Sequence, residues 1–588
     1  MATIISDNIT SPLGFNTEQT YRAVREGKSG LAHYPCDNGE GGWNDLPFPI
    51  EASLFNKEQW DQIMVDGFSK FESLVLHSVK AAISTLIFNK ERAILILSST
   101  KGDVEDFLSP TPNTQHPSSN SLADFAKKVS QAIGIENDPI VVCNACISGI
   151  SAIILGQRLV DCGNFTHVIV CGADVQSRFI VSGFQSLKAL SDEPCRPFDI
   201  ERLGLNLGEA AATIVLSREM NFPDGWKVDK GAICNDAYHI SAPHPKGLGA
   251  GLALSKMKEA YNPISVIGVH GTATMYNDQM ESKAIEEAGL QDVPLSALKG
   301  YFGHTMGAAG VLETIIMMRA LEDGMILPSK GFETCGVSGK VKMSDKPMMA
   351  KGNTFVKMLS GFGGCNGAVR VSDRQLPQII VNDILISQTH SVKITQDEII
   401  VDGNRLDVKS HGKEMLTEVY KTKIGDYPKF YKMDMLSRLA FVASELLIDS
   451  EGQRSKEEGQ RSKEEGQRTK DEGQFSIFNS RAIVFFNHSS SIIADRQYLK
   501  SIEKDDFYPS PAAFVYTLPN ITTGEIALRN GYHGETSFYL LAERNEKLMQ
   551  RVIKSTFIDR DIKSIIGGWI DCPSEDMFEC DIRIYVKQ

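Results

Sequence analysis

The sequence predicts an α/β protein whose strands are covered by helices on both faces. Two distant stretches, residues 68–86 and 427–447, carry the spaced apolar positions of amphipathic helices. Each is followed later by a short continuous apolar run, at 92–99 and 481–488, which is typical of a strand buried on both faces. A third apolar run turns directly into an apolar helix at 141–155. Together these patterns favour an α/β sheet enclosed by helices.

Along the chain, the same order of helix and strand occurs twice, which indicates an internal repeat. A later apolar strand also recurs, at residues 168–172 and 564–568. Any two neighbouring α/β units share this coarse pattern, so an ordinary succession of such units is the alternative. The break falls near residues 373–377. We therefore predict a first domain at 1–374 and a second at 375–588.

The second region contains an insert at 450–474 with the repeated unit Glu-Gly-Gln-Arg-Ser-Lys-Glu. No position of this unit is apolar, so a coiled coil would have no seam to bury. Each unit also carries a glycine, which weakens a helix. We predict a disordered, solvated insert without an activity of its own.

The composition excludes several classes of protein. Among 588 residues, Lys and Arg total 61 and Asp and Glu total 74, a formal charge of −13 that argues against nucleic acid as the main partner. Hydrophobic residues are 42% and charged residues 23%, as in ordinary globular chains. No apolar run approaches the roughly 20 residues of a membrane span, and the N-terminus lacks a secretory signal pattern. We expect a cytoplasmic protein.

The eleven cysteines are an odd and sparse set, which argues against a disulfide framework. Cys143 and Cys146 form a CxxC pair, but no second pair of Cys or His follows at ligand spacing. A zinc site needs that second pair, so we expect no bound metal.

Cys146 lies where the strand-like run at 141–143 turns into a helix. Unpaired N–H groups at a helix N-terminus favour a thiolate, which is the nucleophilic form of cysteine. Cys146 is therefore a candidate nucleophile, with a small buried core cysteine as the alternative.

Two histidines lie in stretches rich in small residues. His270 ends an apolar run, and His304 lies between Lys299 and Glu313. An imidazole facing a cleft can donate a hydrogen bond to an oxygen atom, and a buried Lys and Glu can form a charged network. The glycine-rich loop at 361–364 can present a backbone N–H to an oxyanion. Taken singly, a satisfied core histidine, Gly/Ala helix packing and a tight turn are the alternatives.

Together and in this order, these motifs resemble the β-ketoacyl-acyl-carrier-protein synthases, the condensing enzymes of the thiolase superfamily. The likeness runs from residues 11–14 and 27–30 through 195–199 to the loop at 361–364. It implies that the first domain is a β-ketoacyl synthase domain. It also implies two thiolase-like βαβαβ halves, with a break near 225–230, in a layered α/β/α/β/α core.

The resemblance also implies roles for the candidate residues. Cys146 would carry the acyl thioester, while His270 and His304 would stabilise the enolate formed when a malonyl thioester loses CO2. Lys299 and Glu313 match a supporting Lys and Glu of the family.

By the same resemblance, the N–H groups of Cys146 and Phe362 would hold the oxyanion, and Phe362 would gate the acyl pocket. The resemblance implies that Thr272 and Thr274 bind the pantetheine arm. It implies that Asp278 and Glu281 support the site. The reaction implied is decarboxylating condensation that extends a fatty-acid, polyketide or polyene-type chain.

Two other functions stay open. The family usually has Thr where Asn144 and Cys365 stand, and these departures leave the acyl substrate undefined. A degradative thiolase would need a second catalytic cysteine, for which Cys365 is the candidate. A non-catalytic scaffold or chain-length partner of another ketosynthase is the remaining alternative.

The second region resembles the N-terminal half of a further, incomplete thiolase-like α/β domain. Residues 511–520 resemble the stretch that precedes the nucleophile in the family, yet 534–538, where the nucleophile should follow, contain no cysteine. The region's cysteines, Cys572 and Cys580, come after the later strand. We predict a degenerate, catalytically silent half, comparable to the inactive subunits that shape the acyl tunnel in some polyketide-type synthases.

The resemblance implies an acyl-carrier protein as partner, with substrates carried on its phosphopantetheine and no cofactor bound to this chain. An acidic carrier needs a basic patch on a protein of net charge −13, and the candidates are Arg202, Lys127 and Lys128. Exposed charges on an ordinary surface helix are the alternative. The family also implies a homodimer paired through the strand that leads to the nucleophile, or pairing with a second ketosynthase-like subunit.

Overall fold

The computed structural model describes residues 2–36, 46–108, 121–218, 225–259, 262–373, 384–452, 480–502 and 509–588. The strands are β1 (Thr3–Thr10), β2 (Ala32–Tyr34), β3 (Ile50–Ser53), β4 (Ala93–Ser98), β5 (Ile140–Val142), β6 (His167–Asp174), β7 (Leu207–Gly208), β8 (Ala210–Ser217), β9 (Lys227–Asn235), β10 (Val266–Gly268), β11 (Leu295–Ser296), β12 (Met325–Ile326), β13 (Met348–Met349), β14 (Thr354–Gly361), β15 (Cys365–Ser372), β16 (Ile386–Thr395), β17 (Ile399–Val401), β18 (Asn404–Arg405), β19 (Arg481–Asn487), β20 (Thr536–Leu540), β21 (Ser564–Ser574) and β22 (Met577–Lys587). The α-helices are α1 (Thr17–Arg25), α2 (Lys57–Ile63), α3 (Lys70–Ile83), α4 (Val104–Leu108), α5 (Leu122–Ala132), α6 (Ser148–Asp161), α7 (Arg178–Ser186), α8 (Leu248–Ser255), α9 (Met275–Glu287), α10 (Lys299–Phe302), α11 (Ala309–Glu322), α12 (Gly412–Val419), α13 (Met435–Ser450), α14 (Ile492–Lys500), α15 (Pro511–Tyr516), α16 (Ile521–Asn530) and α17 (Glu546–Thr556). Nearly all of the predicted insert at 450–474 lies outside the described residues.

The helices and strands predicted from periodicity are present. The helix expected at 68–86 is α3, and it begins where Ser69 and Glu72 form a capping box that satisfies the first free amides. The apolar run that follows is β4, every residue of which is buried. In the second copy, the apolar run forms β19, while the helix pattern predicted at 427–447 is divided into a 3-10 helix at Pro428–Lys432 and α13, which begins after its N-cap Asp434.

The core of the first region is built from two five-stranded sheets, and two small sheets accompany them, one of β2, β3 and β7 and one of β12 and β13. One five-stranded sheet has the order β5–β4–β6–β8–β1, the other β11–β10–β14–β15–β9, and β1 meets β9. Helices α6 and α11 contact both sheets and are buried between them, while α3 covers the first sheet and α8 packs with α9 on the second. This is the expected α/β/α/β/α layering, and it places the N-terminus of α6 deep in the molecule.

The strands of the C-terminal region pair in the order β20–β19–β21–β22–β16, with the same parallel and antiparallel sequence as the first sheet. Helix α13 packs on β16, β21 and β22 as α3 packs on β1, β6 and β8. Strands β5 and β20 pair antiparallel, with Val142 opposite Tyr539, so that one sheet runs through both regions. Residues 534–538, where the sequence suggests the missing nucleophile, instead enter and begin β20.

The contact between the two regions is buried and polar as well as apolar. The amide of Phe538 donates to Oδ1 of Asn144 at 2.7 Å, and buried ion pairs join Arg158 to Glu535 and Lys101 to Asp495. Strand β20 occupies the edge of β5. The prediction of a homodimer paired through that strand is therefore wrong for this structure.

Candidate functional site

Cys146 lies in the turn between β5 and α6. The residue before it, Ala145, has a φ of 48°, a left-handed conformation that non-glycine residues adopt where the surroundings enforce it. The hydroxyl of Ser148 accepts from the amide of Asn144 at 2.8 Å and donates to the carbonyl of Ala145 at 2.6 Å. These bonds fix the turn and hold Cys146 just before the first turn of α6.

The structure brings Cys146 together with both predicted histidines. Sγ of Cys146 and a ring nitrogen from each of His270 and His304 lie within 4.8 Å of one another. The two imidazoles meet edge to face, with centroids 5.0 Å apart and an angle of 80° between their planes. Both rings are buried. One sulfur and two buried imidazoles therefore share a small space.

Burial sets the protonation states in this cluster. It lowers the pKa of His270 and His304 well below the usual value, and the nearby Lys299 ammonium lowers both further. The amide of Met306 donates to Nδ1 of His304 at 3.3 Å, so the neutral ring of His304 carries its proton on Nε2. Burial also raises the pKa of the Cys146 thiol to about 12, with Lys299 opposing this rise. The resting cluster is therefore a neutral thiol beside two neutral imidazoles.

Lys299 and Glu313 form a buried network next to the histidines. Nζ of Lys299 lies 2.7 Å from Oε1 of Glu313, and Nζ of Lys357 lies 2.5 Å from Oε2. Although burial opposes ionisation of Glu313, the two ammonium groups lower the pKa of its carboxyl. Lys357 also donates to the carbonyl of Val269 at 2.7 Å, which anchors the chain just before His270.

Asp278 and Glu281, the supporting acids, hold the backbone around His270. The two carboxylate oxygens of Glu281 accept from the amides of His270 and Gly271 at 2.6 and 2.8 Å. Asp278 accepts from the amide of Phe198 at 2.7 Å. Burial raises the pKa of Asp278 to about 6 and that of Glu281 to about 7. These side chains position the histidine loop and are not open to the cavity.

A cavity of about 310 Å3 connects Cys146, His270 and His304 to the surface. Thr272 and Thr274 line it, and their hydroxyls lie 2.9 Å apart. The lining also includes side chains that are largely exposed at the surface, namely Leu203, Met275 and Tyr276. The cavity therefore offers a path by which a long arm can reach the sulfur.

A second, much narrower cavity of about 20 Å3 also touches Cys146, and both regions contribute to its wall. Its lining residues are Thr100, Lys101, Ala145, Cys146, Ile180, Phe184, Met306, Phe362, Phe514 and Leu518. Phe514 can form part of this wall because Gly183 has no side chain. A Cβ on Gly183 would overlap the ring of Phe514. Phe362 lines both cavities and stacks 6.4 Å from Phe184, so it lies where the two cavities meet.

The basic residues predicted to bind a carrier protein do not form one open patch. Arg202 is only 4% exposed, and Nη1 donates to two backbone carbonyls, so a surface docking role is wrong for this residue. Lys127 pairs with Glu543 at 2.8 Å and Lys128 with Glu72 at 2.7 Å. For these two lysines, docking stays a prediction.

Cys365 is the second cysteine that a thiolase would need. It lies near Cys146, but its thiol points to a backbone carbonyl. Its thiol donates to the carbonyl of Phe362 at 3.3 Å, and burial raises its pKa strongly. Its Sγ does not belong to the three-residue cluster found among the described residues. This arrangement gives Cys365 no direct access to the two imidazoles.

Sequence reasoning missed two positioning residues. Lys357 stands in a buried strand, and its signal is a lone lysine within the otherwise apolar run of β14. Asp174 ends β6 and accepts from the amide of Gly307 at 2.6 Å and from Oγ of Ser99 at 2.7 Å. Asp174 thereby fixes the loop that follows His304, and its signal is a carboxylate at the end of an apolar strand.

Across the described ranges, no helix combines the length and the apolar composition that crossing a bilayer requires.

Two family models match within the first region. Residues 3–221 match the family described as beta-ketoacyl synthase, N-terminal domain, and residues 227–333 match beta-ketoacyl synthase, C-terminal domain. The chain is 28% identical over 409 residues to 3-oxoacyl-[acyl-carrier-protein] synthase 2 of Vibrio cholerae serotype O1, covering 61% of this chain and 95% of the relative.

Two solved structures resemble the chain over different lengths. A ketosynthase (ApeO) in complex with its chain length factor (ApeC) from Xenorhabdus doucetiae is 25% identical, with a TM-score of 0.52, over 63% of this chain and 97% of that one. The PfaC keto synthase-chain length factor is 14% identical, with a TM-score of 0.71, over 100% of this chain and 78% of that one, a likeness of fold.

The two family matches together span more than half of the sequence, and they include Cys146, His270 and His304. The layered core is the fold of its ketosynthase neighbours. The chain therefore belongs to the β-ketoacyl synthase family of acyl-transferring condensing enzymes.

Proposed function

We propose that this protein condenses an acyl group, held as a thioester on Cys146, with a malonyl group carried by an acyl-carrier protein. The product would be a β-ketoacyl chain of fatty-acid, polyketide or polyene type, extended by one acetate unit. The observation that supports this most directly is the convergence of Cys146, His270 and His304 within 4.8 Å. Their neutral state suits a reaction in which a negative charge develops within hydrogen-bond reach of the two rings.

In the first half-reaction, Sγ of Cys146 would attack the carbonyl carbon of the incoming acyl thioester. The thiol proton would pass to a neutral imidazole and then to the departing pantetheine sulfur. The amides of Cys146 and Phe362 would hold the transient oxyanion. A Cβ built on Gly361 would lie 3.3 Å from the Cys146 nitrogen, which supports this pairing of the two backbone segments.

In the second half-reaction, the bond between the malonyl α-carbon and its carboxylate would break, and CO2 would leave. The electron pair would move into an enolate, whose oxygen would accept a hydrogen bond from Nε2–H of His304 and a second from His270. The α-carbon would then attack the acyl carbon, and Cys146 would leave as a thiolate and take a proton from water. Burial keeps both imidazoles neutral, and the charge of Lys299 reinforces this state by lowering the pKa of each ring further.

The C-terminal region would act as a built-in partner that shapes the acyl pocket. Val142 and Tyr539 occupy matching positions in their sheets and pair with each other, so Glu543 stands where Cys146 stands in the first region. The Glu543 side chain is 67% exposed and paired with Lys127. A surface carboxylate in place of the Cys146 thiol supports a region without condensing activity.

Substrates would arrive on the phosphopantetheine of the carrier protein, through the 310 Å3 cavity lined by Thr272 and Thr274. The carrier supplies the thioester, so the chain would need no cofactor or metal of its own for these steps. The exposed apolar side chains of Leu203, Met275 and Tyr276 at the cavity would lie where the carrier delivers its arm.

Mass spectrometry of the intact protein, after incubation with acyl-carrier thioesters, tests the proposal. We expect an acyl adduct on the wild type and none on Cys146→Ala. Decarboxylation of malonyl-carrier protein should fall by about 100-fold or more in His304→Ala. Condensation that persists in His304→Ala would contradict the mechanism.

Cys171→Ala is the matched control, because Cys171 is a buried thiol in β6 that lines neither cavity described at Cys146. Under the proposed mechanism, this variant keeps its acyl adduct and its condensation. If Cys365→Ala abolished thiolytic cleavage of a β-ketoacyl thioester by an otherwise active protein, the thiolase alternative would replace the proposal.

A further inference from the structure

The loop that follows β14 is held by residues that are distant in the sequence. The carbonyl of Phe362 accepts a hydrogen bond from Nδ2 of Asn520 at 2.8 Å. The amide of Gly363 donates to the carbonyl of Ile240 at 2.6 Å. Both groups belong to the one peptide that joins Phe362 to Gly363, so this peptide is fixed at its two ends.

Fixing that peptide restricts the amide that precedes it. With the peptide plane held, the N–H of Phe362 can reorient only by rotation about the backbone bonds of Phe362 itself. Gly361 brings this segment beside the Cys146 amide, where a Cβ would be 3.3 Å from the nitrogen. The Asn520 bond therefore acts on the orientation of a group assigned to the oxyanion, without touching the reacting atoms.

The contact is closely built on the side of the C-terminal region. Asn520 is 2% exposed, and it directly precedes helix α16. One turn later, a Cβ on Gly524 would lie 2.6 Å from the carbonyl oxygen of Gly363 and 2.8 Å from its Cα. Only glycine allows the helix to approach the loop this closely. The start of α16 therefore rests directly on the loop.

We infer that Asn520 is a positioning residue for the Phe362 amide, so that acyl transfer to Cys146 depends on the C-terminal region. This inference rests on the proposed condensing function. It assigns the C-terminal region a second task, which is separate from shaping the acyl pocket through Phe514.

The two half-reactions separate this role from a general structural one. Acyl transfer passes through a tetrahedral oxyanion and needs both backbone amides. Loss of CO2 from malonyl-carrier protein develops charge at the histidines, which Asn520 does not contact. A misoriented amide should slow acyl transfer by about 10-fold to 100-fold. This loss of rate is at most that caused by complete removal of one oxyanion donor, which is about 100-fold or more. Decarboxylation should change by less than about twofold.

The test compares Asn520→Asp and Gly524→Ala with Asn530→Ala. Asn520→Asp keeps the size but loses the donor, and Gly524→Ala pushes on the loop from the same helix. Asn530 lies at the far end of α16 and donates to Glu445, so its variant is the matched control. Acylation by acetyl-carrier protein is followed by mass spectrometry, and decarboxylation of malonyl-carrier protein by release of CO2.

In Asn520→Asp and Gly524→Ala, we expect slower acylation with normal decarboxylation. In Asn530→Ala, we expect wild-type rates for both steps. Unchanged acylation in Asn520→Asp would overturn the inference, as would an equal fall in both half-reactions. A wild type that shows neither half-reaction would instead contradict the proposed function, so the two failures are distinguishable.

Discussion

Shortening Phe514 should lengthen the acyl chain that the protein accepts. The ring comes from the C-terminal region and closes the narrow cavity beside Cys146, where about 20 Å3 of space remains. That space admits little more than one water-sized group. In this conformation, the wild type should therefore be acylated best by short acyl groups.

The structure sets the size of the expected change. Phe514→Leu removes about three carbon atoms from the pocket wall and Phe514→Ala about six, which makes room for about one and two to three acetate units respectively. Truncating a buried phenylalanine to alanine also costs about 3–5 kcal/mol of unfolding free energy. The leucine variant should retain most of that stability, so the graded pair separates pocket size from unfolding.

The assay is competition between acyl-carrier thioesters of increasing length, with the adduct on Cys146 weighed by mass spectrometry. Phe557→Ala serves as the control, because Phe557 is equally buried in the C-terminal region but lines neither cavity described at Cys146. The preferred length should increase from wild type to Phe514→Leu to Phe514→Ala and stay unchanged in Phe557→Ala. An unchanged preference in both Phe514 variants would refute the assignment of this ring as the pocket end.

Three further predictions concern charge. Because burial raises the pKa of Cys146 to about 12, its alkylation by iodoacetamide should accelerate about tenfold per pH unit from pH 7 to 10; a plateau below pH 9 would contradict this. Glu313→Gln leaves two buried ammonium groups without their carboxylate and should cost about 3–5 kcal/mol in urea unfolding, whereas a loss below about 1 kcal/mol would show that the pairs are not desolvated. Lys101→Met should destabilise by a similar amount because Asp495 is left unpaired, and Asp495→Leu in the same chain should recover most of it, whereas additive losses would argue against a coupled pair.

The local elements could be predicted because their causes are local. Strand β4 is a continuous apolar run, and α3 starts at a serine whose capping partner lies three residues on. The turn at Cys146 follows from an apolar strand that meets an apolar helix after only five residues. Such patterns do not depend on residues elsewhere in the chain.

The network behind the histidines could be predicted only in part. Lys299 and Glu313 were predicted from a family resemblance within a short stretch of sequence that forms α10 and α11, whereas Lys357 lies on β14. A lysine in a strand is ordinarily expected to reach solvent, because burying its charge is costly. Its partner carboxylate, supplied by α11, offsets part of that cost, and only the fold brings the two together.

Asn144 shows why the partner of β5 could not be predicted. From the sequence, it is a departure from the family's usual threonine, close to the nucleophile. In the structure, its Oδ1 accepts the amide of Phe538 and its Nδ2 lies 3.4 Å from Oγ of Ser537, both on β20. The side chain thus serves the pairing of the two regions, a contact that joins residues almost 400 positions apart.

Carrying both regions in one chain favours this internal pairing over pairing with a second molecule. A linked partner is present at a high effective concentration, about millimolar for short flexible links, and does not depend on protein concentration. The contact is also selective, because Lys101 and Arg158 are buried and each takes its carboxylate from the C-terminal region. A second copy of residues 2–373 docked on β5 would separate both cations from Asp495 and Glu535. Leaving a buried charge unpaired costs about 3–5 kcal/mol, so each ion pair opposes the exchange. The edge of β5 is thereby reserved for β20, and the loop of Phe362 stays within reach of Asn520.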